Sequence, residues 1–83
     1  MPLFLDVHND VFGLSPEEME IEHRKDLAVQ QQHGVRFIKY WFDEATGKVF
    51  CLFEAPSKDA GAAMHIEAHG VAADDIWEVK EGG

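Results

Sequence analysis

Val35-Arg36-Phe37-Ile38-Lys39-Tyr40-Trp41-Phe42-Asp43-Glu44-Ala45-Thr46-Gly47-Lys48-Val49-Phe50-Cys51-Leu52-Phe53-Glu54-Ala55 reads as a strand, a turn and a second strand. Val35 to Asp43 is rich in β-branched and aromatic residues, the composition that suits a pleated surface. Ala45-Thr46-Gly47 turns the chain, and Lys48 to Ala55 returns antiparallel until Pro56 stops it. In the first strand Val35, Phe37, Lys39 and Trp41 alternate against Arg36, Ile38, Tyr40 and Phe42. In the second, Val49, Cys51 and Phe53 alternate against Phe50, Leu52 and Glu54. Both faces of the hairpin therefore carry large apolar side chains. One face must meet helices, and the other needs a second cover.

Outward from the hairpin, each flank reads as a helix and then a strand. Upstream, Ser15-Pro16-Glu17-Glu18 combines an N-cap serine, a proline in the first turn and a glutamate placed for a capping box. That helix is expected to run to His33, with Gly34 closing it. Before it, Leu3, Leu5 and Val7 alternate with Phe4, Asp6 and His8, a period-two strand. Downstream, Ser57 caps a helix that reaches His69 and ends at Gly70. Asp74 to Lys80 is a last strand. The order β-α-β-β-α-β is that of an α+β, ferredoxin-like sandwich spanning residues 1–83 as a single domain. Its antiparallel sheet carries both helices on one face, so the apolar second face points to a homodimer built through the sheet.

Size and charge narrow the function. A chain of 83 residues has a small core, and its one cysteine cannot form an internal disulfide. Metal or oligomerisation remains as support. Sixteen acids against seven bases give a formal charge of -9, which argues against nucleic acid and against anionic membrane surfaces. Nothing approaches transmembrane length, and Met1-Pro2-Leu3-Phe4-Leu5-Asp6 lacks the basic region of a signal peptide. With a free thiol, this composition places the protein in the cytoplasm.

His65-Ile66-Glu67-Ala68-His69-Gly70 carries the strongest chemical signal. Two imidazoles four residues apart share one helix face and can bind one ion. Glu67 lies about 100° round the axis from Ile66, and its order does not match the His-Glu-x-x-His of metalloproteases. His8 ends the first strand on the side of Phe4 and Asp6. His23 and Asp26, one helical turn apart, are either a ligand with its orienting carboxylate or an ordinary exposed pair. His33 abuts a helix C-terminus and reads as structural. Cys51 is an inert buried thiol unless it faces the cavity of the histidines, where thiolate with imidazole suits zinc, nickel or copper. Glu54 and the carboxylates near His8 can add oxygen ligands. No glycine-rich phosphate loop, nucleophile elbow or dinucleotide fingerprint is present.

Several segments together resemble one family. They are Glu22-His23-Arg24-Lys25-Asp26-Leu27-Ala28-Val29-Gln30, Gly34-Val35-Arg36, Tyr40-Trp41-Phe42, Phe50-Cys51-Leu52-Phe53-Glu54-Ala55-Pro56, His65-Ile66-Glu67-Ala68-His69-Gly70 and Ile76-Trp77-Glu78-Val79. The pattern resembles the small bacterial nickel-binding proteins of ferredoxin-like fold, long classed as a domain of unknown function and also found fused to nucleotide cyclases. The resemblance implies a homodimer that binds nickel, with zinc or another divalent transition metal as alternatives, rather than a catalyst. Carried over to this chain, it assigns His8, His23, Asp26, Cys51, Glu54, His65 and His69 to the metal. The alternative is a small dimeric α+β enzyme whose sheet-helix cavity uses the same histidines as acid and base, with Tyr40, Trp41 and Phe42 lining an apolar pocket.

Overall fold

The computed structural model describes every residue except Asp10, Phe12, Leu14 and Val71. In chain order the elements are β1 (Leu3–His8), α1 (Pro16–Val29), a 3-10 turn (Gln30–His33), β2 (Arg36–Asp43), β3 (Lys48–Glu54), α2 (Lys58–His69) and β4 (Asp75–Val79). The four strands form one antiparallel sheet in the order β2-β3-β1-β4. This is the α+β, ferredoxin-like arrangement expected from the element order.

Local chemistry sets the element ends. Ser15 and Glu18 make the expected capping box at the start of α1, with Pro16 just inside it. The regular α-helix stops at Val29, four residues short of His33, and tightens into the 3-10 turn. Bonds to the start of β2 are the cause. Gln30 O accepts from Val35 N at 3.0 Å and its side-chain oxygen accepts from Phe37 N at 2.9 Å, so the helix end is recruited to launch the strand. Gly34 makes that reversal with φ of 69°, a conformation costly for any residue with a Cβ. On α2, Ser57 caps the first turn and Gly70 the last.

Antiparallel partners share a face, so the register sorts the side chains into rows. Towards the helices, Phe37, Phe53 and Phe4 form an apolar row, followed by Tyr40, Cys51, Asp6 and Ile76, and then Phe42, Val49 and His8. The core is Phe4, Met19, Val35, Phe37, Val49, Cys51, Phe53, Ala55 and Met64. A bulge at Ile38 corrects the uninterrupted alternation expected of β2: Phe37 faces Phe53, yet Lys39 already faces Leu52. The extra residue exchanges the faces beyond it. Tyr40 and Phe42 turn inward, while Lys39 and Trp41 turn outward.

The opposite face carries the rows Lys39–Leu52–Leu5–Trp77 and Trp41–Phe50–Val7. Trp41 and Trp77 are each 48% exposed. Among the described residues no helix is long and apolar enough to cross a membrane.

Candidate metal centre

Three elements deliver the polar side chains of the interior. From α2, His65 and His69 point to the sheet one turn apart, as the four-residue spacing requires. Gly61, one turn earlier on the same face, makes the approach close: a Cβ there would lie 2.4 Å from the Phe53 ring. From α1, Asp26 is buried, with Glu22 one turn before it and His23 beside it. From the sheet come Asp6, His8 and Cys51.

His65 is the centre of this assembly, with 1% of its surface exposed. Its Nδ1–H donates to Asp26 Oδ1 at 3.0 Å, and its Nε2–H donates to Asp6 Oδ2 at 2.7 Å. His69 repeats the pattern nearer solvent, with Nε2–H to Asp26 Oδ1 at 2.9 Å and Nδ1–H to Glu22 Oε2 at 3.0 Å. Carboxylate and imidazole thus alternate from Asp6 through His65, Asp26 and His69 to Glu22. Two imidazoliums offset part of the charge of three carboxylates, and that pairing is what makes the burial tolerable.

The acid–base properties derive from this geometry. Burial lowers the basicity of His65, but hydrogen bonds to Asp26 and Asp6, and their charges, outweigh it and push its pKa up to about 9. Hydrogen bonding to Asp26 also raises His69, against the opposing effect of burial. Burial would raise Asp26, yet its bonds to the two imidazoles hold it below the usual carboxylate range. His8 and His23 are lowered, chiefly by burial. Burial, reinforced by Asp6 and Asp26, pushes the Cys51 thiol well up.

Two groups of donor atoms have a spacing suited to an ion. Asp6, His8, Cys51 and His65 form one, and Asp26, His65 and His69 the other; within each group the atoms lie within 4.8 Å of one another. Donors about 2.1 Å from a transition-metal ion sit roughly 3 Å apart when adjacent, the separation of the hydrogen-bonded pairs here. Two buried polar atoms have no hydrogen-bond partner among the described residues: Asp6 Oδ1, with His8 Nε2 3.5 Å away, and His23 Nδ1. A donor set of imidazole, carboxylate and thiol with a lone pair unused fits a divalent transition metal.

Beside these groups lies a cavity of about 190 Å³, bounded on its apolar side by Val11, Met19, Phe37 and Val49. Of the seven residues expected at the metal, six line it: His8, His23, Asp26, Cys51, His65 and His69. Glu54 does not. It ends β3 on the opposite face of the sheet and is ion-paired with Arg36. His23 is packed against the rings of Phe37 and Tyr40 and belongs to neither donor group. His33 pairs with Glu67, which leaves both outside the centre. Trp41, expected in an apolar pocket, points to the other face, whereas Tyr40 lines the cavity and donates to Glu20 at 3.0 Å.

Asp6 and Glu22 lie at the centre although neither was among the seven named ligands; Asp6 was covered only as one of the carboxylates near His8. Asp6 had a signal in the sequence: a carboxylate between Phe4 and His8 on the inward side of an alternating strand has no apolar reason to be there. Glu22 shares the helix face of Asp26, four residues on, and no feature of the sequence separated it from the exposed acids of α1.

An α+β domain with a buried histidine–carboxylate–thiol centre between its sheet and helices is a candidate metalloprotein. The chain belongs to the family described as nickel responsive protein SCO4226-like, whose model matches residues 4–79. It is similar to the protein in the crystal structure of SCO4226 from Streptomyces coelicolor A3(2), with 37% identity and a TM-score of 0.91 over 98% of this chain and 99% of that one. No curated protein matches it.

Proposed function

We infer that the chain is a nickel(II)-binding protein that sequesters, stores or senses the ion, working in the cytoplasm as a homodimer. One observation carries this: imidazole nitrogens, carboxylate oxygens and a thiol from β1, β3, α1 and α2 gather in the interior as two donor groups that share His65. The family's nickel-responsive description gives the choice of metal. His65, His69 and Asp26 on one side, and His8, Cys51 and Asp6 on the other, would hold the ion, with His23 at the cavity wall. Carboxylates hydrogen-bonded to the imidazoles fix the ring orientations beforehand. Bound there, nickel would be held rather than turned over.

The homodimer is supported by the uncovered sheet face, where apolar rows run across the strands between two half-exposed tryptophans. Pairing through that face leaves the cavity, on the helix side, unobstructed.

Native mass spectrometry of the tag-free protein, titrated with nickel and challenged with zinc, tests both parts. Uptake by a dimer in whole-number steps that zinc does not reverse, and that His65→Ala/His69→Ala abolishes, is expected. Graded uptake retained by that variant would mean adventitious surface binding. The cavity favours one other reading, since 190 Å³ exceeds the need of a lone ion. An enzyme using His65 and His69 as acid and base would bind a small organic substrate without metal, which ligand screening of chelator-treated protein would detect.

A further inference from the structure

One side of the cavity takes no part in either donor group. Val11, Met19, Phe37, Tyr40 and Val49 line it, and none of them belongs to the clustered histidines, carboxylates and thiol. We propose that this apolar side is a binding site for a small neutral aromatic molecule of about one ring. The site needs neither an ion nor acid–base chemistry at His65 and His69, so it goes beyond both readings above.

Size and access suit such a ligand. The cavity holds about 190 Å³. An apolar cavity of roughly 150 Å³ stays dry and takes up a benzene ring. Space of this kind is unfavourable when empty, because the atoms of its walls lack contacts on one side. Met19, Phe37 and Val49 are core residues, so these walls are packed from behind. Val11, Tyr40 and His69, at the border, are only half-buried, and the cavity is reached from solvent beside them.

The walls favour an aromatic occupant. The His23 ring lies 4.5 Å from that of Phe37, nearly perpendicular to it, and 4.7 Å from that of Tyr40. Three rings thus stand together at the cavity, and Met19 adds a thioether. Rings attract a further ring edge-to-face or offset, and sulfur attracts a ring edge.

Charge selects a neutral molecule. Among the described residues no lysine or arginine lines the cavity. The imidazoles of His65 and His69 are already bonded to Asp6, Asp26 and Glu22. An organic anion would therefore be buried beside carboxylates with no free counter-charge. An organic cation would have to break an imidazole–carboxylate pair without forming the coordinate bonds that a metal ion forms. A neutral ring disturbs none of these bonds.

The test is methyl nuclear magnetic resonance of the intact, chelator-treated chain labelled at methionine, titrated with toluene, benzoate and benzylammonium. Met19 lines the cavity, whereas Met1 is 66% exposed at the terminus. Toluene is expected to shift the Met19 methyl signal saturably and to leave Met1 unmoved. Benzoate and benzylammonium should bind roughly tenfold or more weakly, since each would bury an unpaired charge. Val49→Phe, which fills the space, should abolish the toluene shift. Should circular dichroism show that Val49→Phe does not fold, Val11→Phe at the half-buried border serves instead. A Met19 signal that does not respond, an equal response of Met1, equal binding of either charged ring, or an unchanged shift in the filled variant would overturn the proposal. All of these are read without metal. A chain that takes up nickel but shows no Met19 response loses only the aromatic site, and the reverse result loses only nickel binding.

Discussion

Raising the pH of the metal-free protein from 6.5 to 9 should destabilise it, and the structure sets the size of the effect. His65 titrates near 6.5 when unfolded and at about 9 when held between Asp6 and Asp26. A group whose folded pKa is raised contributes its full stabilisation below the unfolded value and loses it as pH climbs through the folded one. At about 1.4 kcal/mol per pKa unit, the loss across this window is ~3 kcal/mol. His69 is raised too and acts in the same direction. His8 and His23 are lowered, so they act on the other side: stability falls as pH drops below about 6.5. The metal-free protein should therefore be most stable near pH 6.5. Urea unfolding at fixed ionic strength with a chelator present measures this directly. His65→Gln should flatten most of the alkaline slope. Stability that stays level or rises between pH 6.5 and 9 in the unchanged chain would refute the assignment of His65 as a doubly hydrogen-bonded imidazolium.

Nickel affinity should show the opposite trend, weakening as pH falls from 9, because the ion must displace the protons that Asp6 and Asp26 help to hold; isothermal titration across that range checks it. Asp26→Asn leaves His65 and His69 in place but weakens acceptance of their N–H protons, and roughly a tenfold to hundredfold loss of nickel affinity is expected from the same calorimetry. Gly61→Ala forces a Cβ into the Phe53 ring and should cost about 1–3 kcal/mol in thermal or urea unfolding, since neither the helix nor the buried ring has room to yield. A Trp41→Lys/Trp77→Lys double variant should be monomeric in analytical ultracentrifugation while still binding nickel.

Much of the fold was legible because strong local signals agreed with one another. The Ser15 cap with Glu18, the Ser57 cap, and the glycines at 34 and 70 mark the helix ends by backbone chemistry alone. Strand alternation was legible wherever it was unbroken, as in β1 and β3. In β2 it failed at Ile38, because a bulge is set by pairing with β3 and not by the residue itself. That one residue decides that Tyr40 rather than Lys39 faces the cavity, which keeps an ammonium group away from the histidines that line it. The His65 and His69 pair was legible from helix periodicity, and His8 and Cys51 from strand parity. For Asp6 the inward parity was legible but its partner was not, because the bond to His65 arises from a strand and a helix meeting 59 residues apart in sequence. Glu54 looked like a ligand for the reverse reason: its parity put it on the opposite face from Cys51, and its motif outweighed that geometry.

Crystals grown with nickel and measured at the nickel absorption edge would locate the ion without reference to affinity. Anomalous difference density inside the cavity, against the ring nitrogens of His65 with His69 or His8 alongside, is the expected result. Density confined to exposed residues at the protein surface, with the hydrogen bonds from His65 to Asp6 and Asp26 intact, would contradict it.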